Sequence, residues 1–171
     1  ITKFQKDVQS AADENQIYEI SSEWLKRITP FKFISFFTLN QEMNFELSYI
    51  EPKKLREKVE REFQAQLQAG ILAWVLNSEK TVPVTPELDE FKGGNQLLMR
   101  PLETQEGVIG LFIAQKESVA EDLQQLELML LNVSLVSTTL ALENTSLTHQ
   151  LKEANFELES KVEARTKKLQ E

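Results

Sequence analysis

The chain has 171 residues, a formal net charge of −8 and no cysteine. This length allows one domain and one long extension. The absence of thiols excludes disulfides, a thiolate nucleophile and a cysteine-ligated metal. The acidic balance argues against a nucleic-acid surface, and no apolar run approaches the roughly 18 residues of a membrane span. We expect a segment of a longer protein, since the first residue, Ile1, is not Met, and the absence of cysteine fits a reducing cytoplasm.

The first third of the chain predicts a helix followed by a hairpin. Apolar residues recur at helical spacing over residues 3–28, and Pro30 ends this helix. Residues 33–39 are β-branched and aromatic on both faces, which is typical of a strand buried on both sides. Residues 45–49 alternate between apolar and polar, which predicts a second strand with one exposed face.

The middle of the chain predicts short helices and one brief strand. Residues 52–67 carry apolar side chains at steps of four. Gly70 breaks this helix, and residues 71–76 resume as a short buried helix. Residues 82–84 are extended, and residues 85–94 form a loop.

The last third predicts two strands and then a long helix. Residues 96–102 form a strand in which Pro101 favours an edge or a bulge, and residues 107–115 form a strand that is apolar on both faces. The two doubly apolar strands should be central in a mainly antiparallel sheet, with the first and last helices on one of its faces. The fold class is therefore α+β, with a domain over residues 1–119 and a long helix over residues 120–171.

Apolar residues of the long helix repeat every eleven residues, in steps of four, three and four. Eleven residues in three turns keep the pattern on one side of the helix and favour a straight or slightly right-handed coiled coil. A single helix cannot bury such a stripe, so we expect a parallel homodimer. The interface residues are Met129, Val133, Val136, Leu140, Asn144, Leu147, Leu151, Asn155, Leu158, Val162 and Leu169, with Thr166 completing the pattern. These residues are called the stripe below.

Two asparagines interrupt the stripe. Asn144 and Asn155 occupy positions that point toward the partner helix. A buried asparagine fixes the register of a coiled coil at a cost in stability. The alternative is that they keep the coil marginal, so that it can switch.

Several motifs resemble a GAF domain. The segment Gly70-Ile71-Leu72-Ala73-Trp74-Val75, which runs into Val82-Pro83-Val84, resembles that family's Gly-x-x-x-Trp-Val helix and the strand after it. Met99-Arg100-Pro101-Leu102 and Val108-Ile109-Gly110-Leu111 resemble its last two strands. The end of the chain, residues 158–169, is similar to the connector before histidine-kinase or diguanylate-cyclase domains. The resemblance implies a six-stranded sheet with a small-molecule pocket on the face away from the terminal helices.

The chain also departs from known GAF subfamilies. It lacks the Asn-Lys-x-x-x-Phe-x-x-x-Asp-Glu motif of the cyclic-nucleotide binders. Without cysteine it can neither attach a bilin covalently nor reduce methionine sulfoxide. The expected cofactor is therefore none or an unknown small molecule.

The candidate pocket residues come from the first buried strand, the short helix over residues 71–76, the loop before the next strand and that strand itself. Gly93 and Gly94 permit close approach of the loop backbone to a ligand. The alternative interpretation is that the apolar members fill the core of that face. The candidates are Phe37, Trp74, Leu88, Phe91, Asn95, Leu97 and Met99.

Together these features predict a non-enzymatic sensory module. It would bind a small ligand or relay an upstream signal through the coiled coil to an output domain in the same polypeptide. The alternative is a ligand-free spacer that only dimerises. No catalytic set and no metal site emerge from the sequence.

Overall fold

The computed structural model describes residues 1–117 and 124–170. The predicted domain boundary between residues 119 and 120 lies outside these described residues. The helices are α1 (Thr2–Gln9), α2 (Glu14–Ile28), α3 (Arg56–Gln68), α4 (Ile71–Leu76) and α5 (Gln125–Gln170), and a 3-10 turn (Lys53–Leu55) precedes α3. The strands are β1 (Phe31–Leu39), β2 (Phe45–Glu51), β3 (Val82–Val84), β4 (Leu97–Thr104) and β5 (Gly107–Lys116).

The sheet is antiparallel and has the order β2-β1-β5-β4-β3. The two doubly apolar strands, β1 and β5, are central as predicted, because each buries side chains on both faces. The described residues contain five strands, one fewer than the family resemblance implies.

Two apolar clusters lie on the two faces of this sheet. One face packs against α1, α2 and the first half of α5, with Ile17, Phe112 and Leu135 in its centre. The other face packs against α3, α4 and the loop before β4, with Phe63, Phe91 and Leu111 in its centre. The predicted division of helices between the two faces is confirmed.

The single helix predicted over residues 3–28 is wrong, because the chain forms two helices there. Asp13 has an extended backbone and its carboxylate accepts a hydrogen bond from the Gln16 N–H at 2.8 Å, which caps α2. Gln16 reaches back to accept from the Ala12 N–H at 2.6 Å. This local cap competes with the continuation of a single helix, and in this chain it separates α1 from α2.

Two predicted breaks are confirmed. Gly70 adopts a φ of 78° between α3 and α4, a conformation that glycine tolerates without cost. Strand β4 shifts register between Leu102 and Glu103, and it pairs with β3 only over Leu97–Met99. Pro101 therefore lies beyond the end of β3, where no donor is needed on its outer side.

Candidate functional site

The face predicted to hold a ligand is filled by side chains. Phe37, Phe91, Leu97 and Met99 are all at most 2% exposed and belong to one apolar cluster, and Leu88 packs against that cluster. Phe33 and Phe91 contact each other with ring centroids 5.3 Å apart. These candidates are brought together by the fold, but as core residues.

Trp74 is placed differently from both sequence interpretations. It is 58% exposed, so it neither fills the core nor faces the cluster of the other candidates. Helix α4 buries Leu72 and Val75, and the helical turn directs the intervening Trp74 away from the sheet. The placement of Trp74 beside the other candidates is therefore corrected.

The loop before β4 is held down by a buried carboxylate. Glu62 on α3 is 1% exposed and accepts hydrogen bonds from the N–H groups of Glu87 at 2.7 Å and Leu88 at 2.9 Å. Gln66, one turn later, donates to Glu62 and to the carbonyl of Thr85 at 2.9 Å. Hydrogen bonds to backbone N–H groups compensate the desolvation of the carboxylate.

A second buried amide holds the other end of the same loop. Gln115 on β5 donates to the carbonyls of Phe91 at 3.1 Å and Asn95 at 2.7 Å. Asn95 itself, the polar member of the predicted pocket, donates to the carbonyl of Lys116 at 3.3 Å. The glycine-containing loop is thus tied to α3 and to β5.

Sequence reasoning missed these anchors. Glu62 precedes the apolar Phe63 and follows Val59 by three residues, so it falls on the buried side of α3. Gln115 follows Leu111 and Ile113 in the period of a strand, so it falls on a buried face. A polar residue in an apolar period is the signal that marks such anchors.

An open groove remains beside α3, with a volume of about 1050 Å³. Its apolar floor includes Phe37 and Phe63, which stack with centroids 4.6 Å apart. Two arginines on its rim are already paired, Arg56 with Glu60 at 3.3 Å and Arg61 with Glu90 at 3.1 Å. The groove therefore offers apolar side chains for contact, and the two arginines on its rim are already neutralised by ion pairs.

A polar cluster closes the junction of α2 and β2. The Glu51 carboxylate accepts from Ser22 and Tyr49, each at 3.0 Å, and pairs with Lys26. Burial alone would raise the pKa of Glu51, but these donors lower that pKa below its ordinary value. Burial raises the pKa of the Tyr49 phenol to about 12, and Glu51 adds to that rise. Both groups keep one charge state across neutral pH, which is typical of a structural cluster.

The inner side of α5 meets α2 through hydroxyl groups. Ser21 and Thr138 share a hydrogen bond of 2.7 Å, and the Trp24 indole donates to Ser134 at 2.8 Å. These small hydroxyl residues are buried, and they lie among apolar neighbours such as Leu131 and Leu135. The interface that holds the first half of α5 therefore combines buried hydrogen bonds between hydroxyl groups with apolar packing.

The outer side of α5 carries the predicted stripe. Its nine apolar members are between 38% and 88% exposed, and Asn144 and Asn155 are also exposed. Residues that contact the sheet, such as Leu131, Leu135 and Leu142, lie on the opposite side of the helix from Val133 and Val136. From Ser146 to Gln170 every residue is exposed, so this part of α5 extends roughly 38 Å away from the domain.

Apolar residues on two sides give α5 an unusual composition. It is long and apolar enough to cross a membrane, by length and composition alone. A core helix of a globular domain passes the same test, and a large share of the apolar stretch is buried against the domain. The expectation that this segment spans no membrane stays a prediction.

This architecture defines a class of α+β domains in which terminal helices cover one face of an antiparallel sheet and short helices cover the other. No family model and no curated protein sequence matches the chain. Solved structures do match, and they identify the fold as that of a GAF domain.

Three of these structures are GAF-domain structures from bacteria. The first is a GAF domain/HD domain protein from Geobacter sulfurreducens, with a TM-score of 0.64 and 16% identity, covering 81% of this chain and 97% of that chain. The second is the GAF domain of a two-component sensor histidine kinase from Bacillus halodurans, with a TM-score of 0.58 and 18% identity, covering 81% of this chain and 99% of that chain. The third is the GAF domain of the potassium sensor histidine kinase KdpD from Escherichia coli, with a TM-score of 0.57 and 13% identity, covering 88% of this chain and 95% of that chain. At these identities the likeness establishes the fold.

Proposed function

We propose that this chain is a regulatory sensory module of a cytoplasmic signal-transduction protein, and that it acts as a parallel homodimer. A ligand or an upstream signal changes the packing of the domain on α5. The coiled coil then carries this change to an output domain in the same polypeptide.

The observation that carries the proposal is the two-sided α5. Its first half is held by the domain on one side, and the stripe on its other side continues without a partner for the rest of the helix. Burying the exposed parts of these leucine and valine side chains favours association, and the full burial of one such side chain contributes at most about 1.5–3 kcal/mol. A second copy presents an identical stripe with the same repeat, so its α5 is the complementary partner.

The relay is supported by the contacts on the inner side of α5. Hydroxyl pairs such as Ser21–Thr138 join α2 to α5 beside the apolar contacts of Leu131 and Leu135. A small shift of α5 against the sheet would alter both kinds of contact, which couples the helix to the packing of the domain. Two of the three compared structures are GAF domains of sensor histidine kinases, which supports a signalling context.

A native mass spectrum of the gently purified chain tests this proposal. A dimer with a bound small molecule supports the ligand sensor, and the mass of the adduct gives the mass of the ligand. A monomer at micromolar concentration contradicts the homodimer.

A ligand-free dimerisation spacer is the second candidate, and the filled ligand face favours it. Phe37, Phe91 and Met99 occupy the interior where a ligand would lie. Thermal unfolding against nucleotides and small metabolites separates the two candidates. A ligand at about 100 times its dissociation constant adds about 2.7 kcal/mol to the free energy of unfolding. A dimer that no compound stabilises supports the spacer.

A further inference from the structure

Four charged residues beside the stripe, near the end of α5, are sorted by sign. An eleven-residue repeat in three turns advances about 98° per residue. On one side of the stripe, Glu159 lies about 65° from its centre and Glu163 about 98°. On the other side, Arg165 and Lys161 lie at the same two angles. The first pair is called the acidic flank below, and the second pair is called the basic flank.

The two flanks bind no opposite charge within the chain. All four side chains are exposed. In the described part of the chain, the one acid–base contact between two residues of α5 joins His149 to Glu153 at 3.1 Å. The two members of each flank are four residues apart, so like charges occupy neighbouring positions, an arrangement that destabilises a lone helix. A flank of the opposite sign on a second helix would offset this repulsion.

The relative direction of two α5 helices decides which flanks meet. In a parallel, in-register pair with two-fold symmetry, one side of each stripe faces the other side of the partner's stripe. The acidic flank of each chain then lies beside the basic flank of its partner. Residues 159–165 rise about 9 Å along the helix, a distance that long side chains can span. In an antiparallel pair over the same residues, flanks of the same sign meet and repel.

The other lysines and glutamates between residues 146 and 170 leave this sorting intact. Those that lie at least about 130° from the centre of the stripe are Glu153, Glu157, Lys167 and Lys168. Lys152 lies about 98° from the centre, on the side of the acidic flank. In a parallel partner it would face Gln150 and Ala154, which carry no charge. The four flank residues are therefore the charges that a partner helix meets.

We propose that the acidic and basic flanks select a second copy of this chain as the partner of the distal half of α5, and that they set the two copies parallel. This rests on the proposed homodimer and adds the side chains that fix its orientation. Apolar contacts of the stripe form in either direction, whereas contacts between opposite flanks form only in the parallel one. Replacing one of the four residues should leave the orientation unchanged, because another charge of the same sign remains on that flank.

A flank-swapped variant tests the proposal in the full chain. It combines Glu159→Lys, Lys161→Glu, Glu163→Lys and Arg165→Glu, which exchanges the signs of the two flanks and leaves the net charge unchanged. We expect this variant to form homodimers within about threefold of the stability of the unmodified dimer, because opposite flanks still meet.

Mixing the variant with the unmodified chain gives the decisive measurement. In a parallel mixed dimer, flanks of the same sign meet on both sides, so the two chains should sort into separate homodimers. Native mass spectrometry at low ionic strength, with one chain labelled with nitrogen-15, counts the species after exchange. Mixed dimers should be about a tenth of all dimers, against about half for free mixing, and sodium chloride at about 1 M should raise their share.

The matched control exchanges two charges that lie away from the stripe. Glu157→Lys with Lys168→Glu also keeps the net charge, and both positions are exposed and about 130° from the centre of the stripe. This control should mix freely with the unmodified chain. Circular dichroism establishes that each variant is folded.

The possible outcomes separate this inference from the homodimer itself. An unmodified chain that is monomeric overturns both. An unmodified chain that dimerises but mixes freely with the flank-swapped variant overturns only the role of the flanks. Mixed dimers that outnumber both homodimers overturn the parallel orientation, because opposite flanks of the two chains then meet in an antiparallel pair. A flank-swapped variant that stays monomeric while the unmodified chain dimerises also contradicts the role of the flanks.

Discussion

The two halves of α5 carry the same outward stripe but differ in what supports them. The first half buries Leu131 and Leu135 against the sheet and exposes Val133 and Val136 on its opposite side. The second half has the stripe alone, and no residue from Ser146 to Gln170 is buried. Most of the stability of a helix in a protein comes from the packing of its apolar face. The domain therefore supports the start of the helix, whereas we expect a partner helix to support its end.

Replacing apolar residues of the stripe in the distal half should have the largest effect, which is a loss of dimerisation. We expect Leu151→Asp combined with Leu158→Asp to weaken dimerisation by at least about a thousandfold, because two apolar contacts per helix are replaced by buried charges. Sedimentation equilibrium measures the change. Phe156→Asp is the control, since Phe156 is 71% exposed on the same helix but lies about 130° away from the centre of the stripe. Equal dissociation by both variants would contradict the assignment of the stripe.

The inner side of the proximal half should control the stability of the domain itself. In the monomeric double variant, we expect Leu135→Ala to lower the free energy of unfolding by about 3 kcal/mol, because it leaves a cavity in the core. Leu147→Ala in the same background should change it by less than about 0.5 kcal/mol. Urea unfolding measures both values. A large loss with Leu147→Ala would mean that the distal half is not independent of the domain.

One asparagine of the stripe lies in each half of α5, and replacing both tests whether they set the register of the dimer. Asn144→Leu with Asn155→Leu should tighten the dimer by roughly tenfold and add species other than the dimer, because a polar residue at the interface selects register at a cost in stability. Sedimentation velocity resolves these species. Asn15→Leu, on the exposed side of α2, serves as the control. If the variant forms a tighter dimer and no other species, the two asparagines do not set the register of the coiled coil.

The hydroxyl contacts of the proximal half should give the smallest effect. We expect Thr138→Val to lower the free energy of unfolding by about 1 kcal/mol, because it removes the bond to Ser21 while keeping the side-chain volume. Thr148→Val, which is exposed, should leave the stability unchanged. Urea unfolding of both variants measures the difference. A loss above about 3 kcal/mol would indicate an interface too rigid for the proposed relay.

The sequence predicted those features that depend on long periodic patterns. Apolar residues on both faces of β1 and β5 placed these strands at the centre of the sheet, and the eleven-residue repeat placed the stripe on the outer side of α5. Each pattern runs over enough residues for its period to be unambiguous.

Shorter and polar features escaped prediction for physical reasons. Helix α4 has six residues, too few to show that Trp74 falls opposite Leu72 and Val75. The break before α2 depends on one side chain, that of Asp13, whose cap outweighs the apolar spacing around it. Glu62 and Gln115 look solvent-exposed by residue type, and only the tertiary fold supplies the backbone groups that they bind.

The parallel arrangement of two α5 helices is the central claim, and pulsed electron paramagnetic resonance tests it most directly. The chain has no cysteine, so Thr148→Cys and Glu159→Cys each give one spin label per chain. These positions are eleven residues apart and share one side of the helix. A parallel, in-register dimer predicts the same distance between labels at both positions, within about 5 Å. An antiparallel pair would change that distance between the two positions by up to about 33 Å, because eleven residues span roughly 16 Å on each of the two helices. Either that change or the absence of any dipolar coupling would contradict the account.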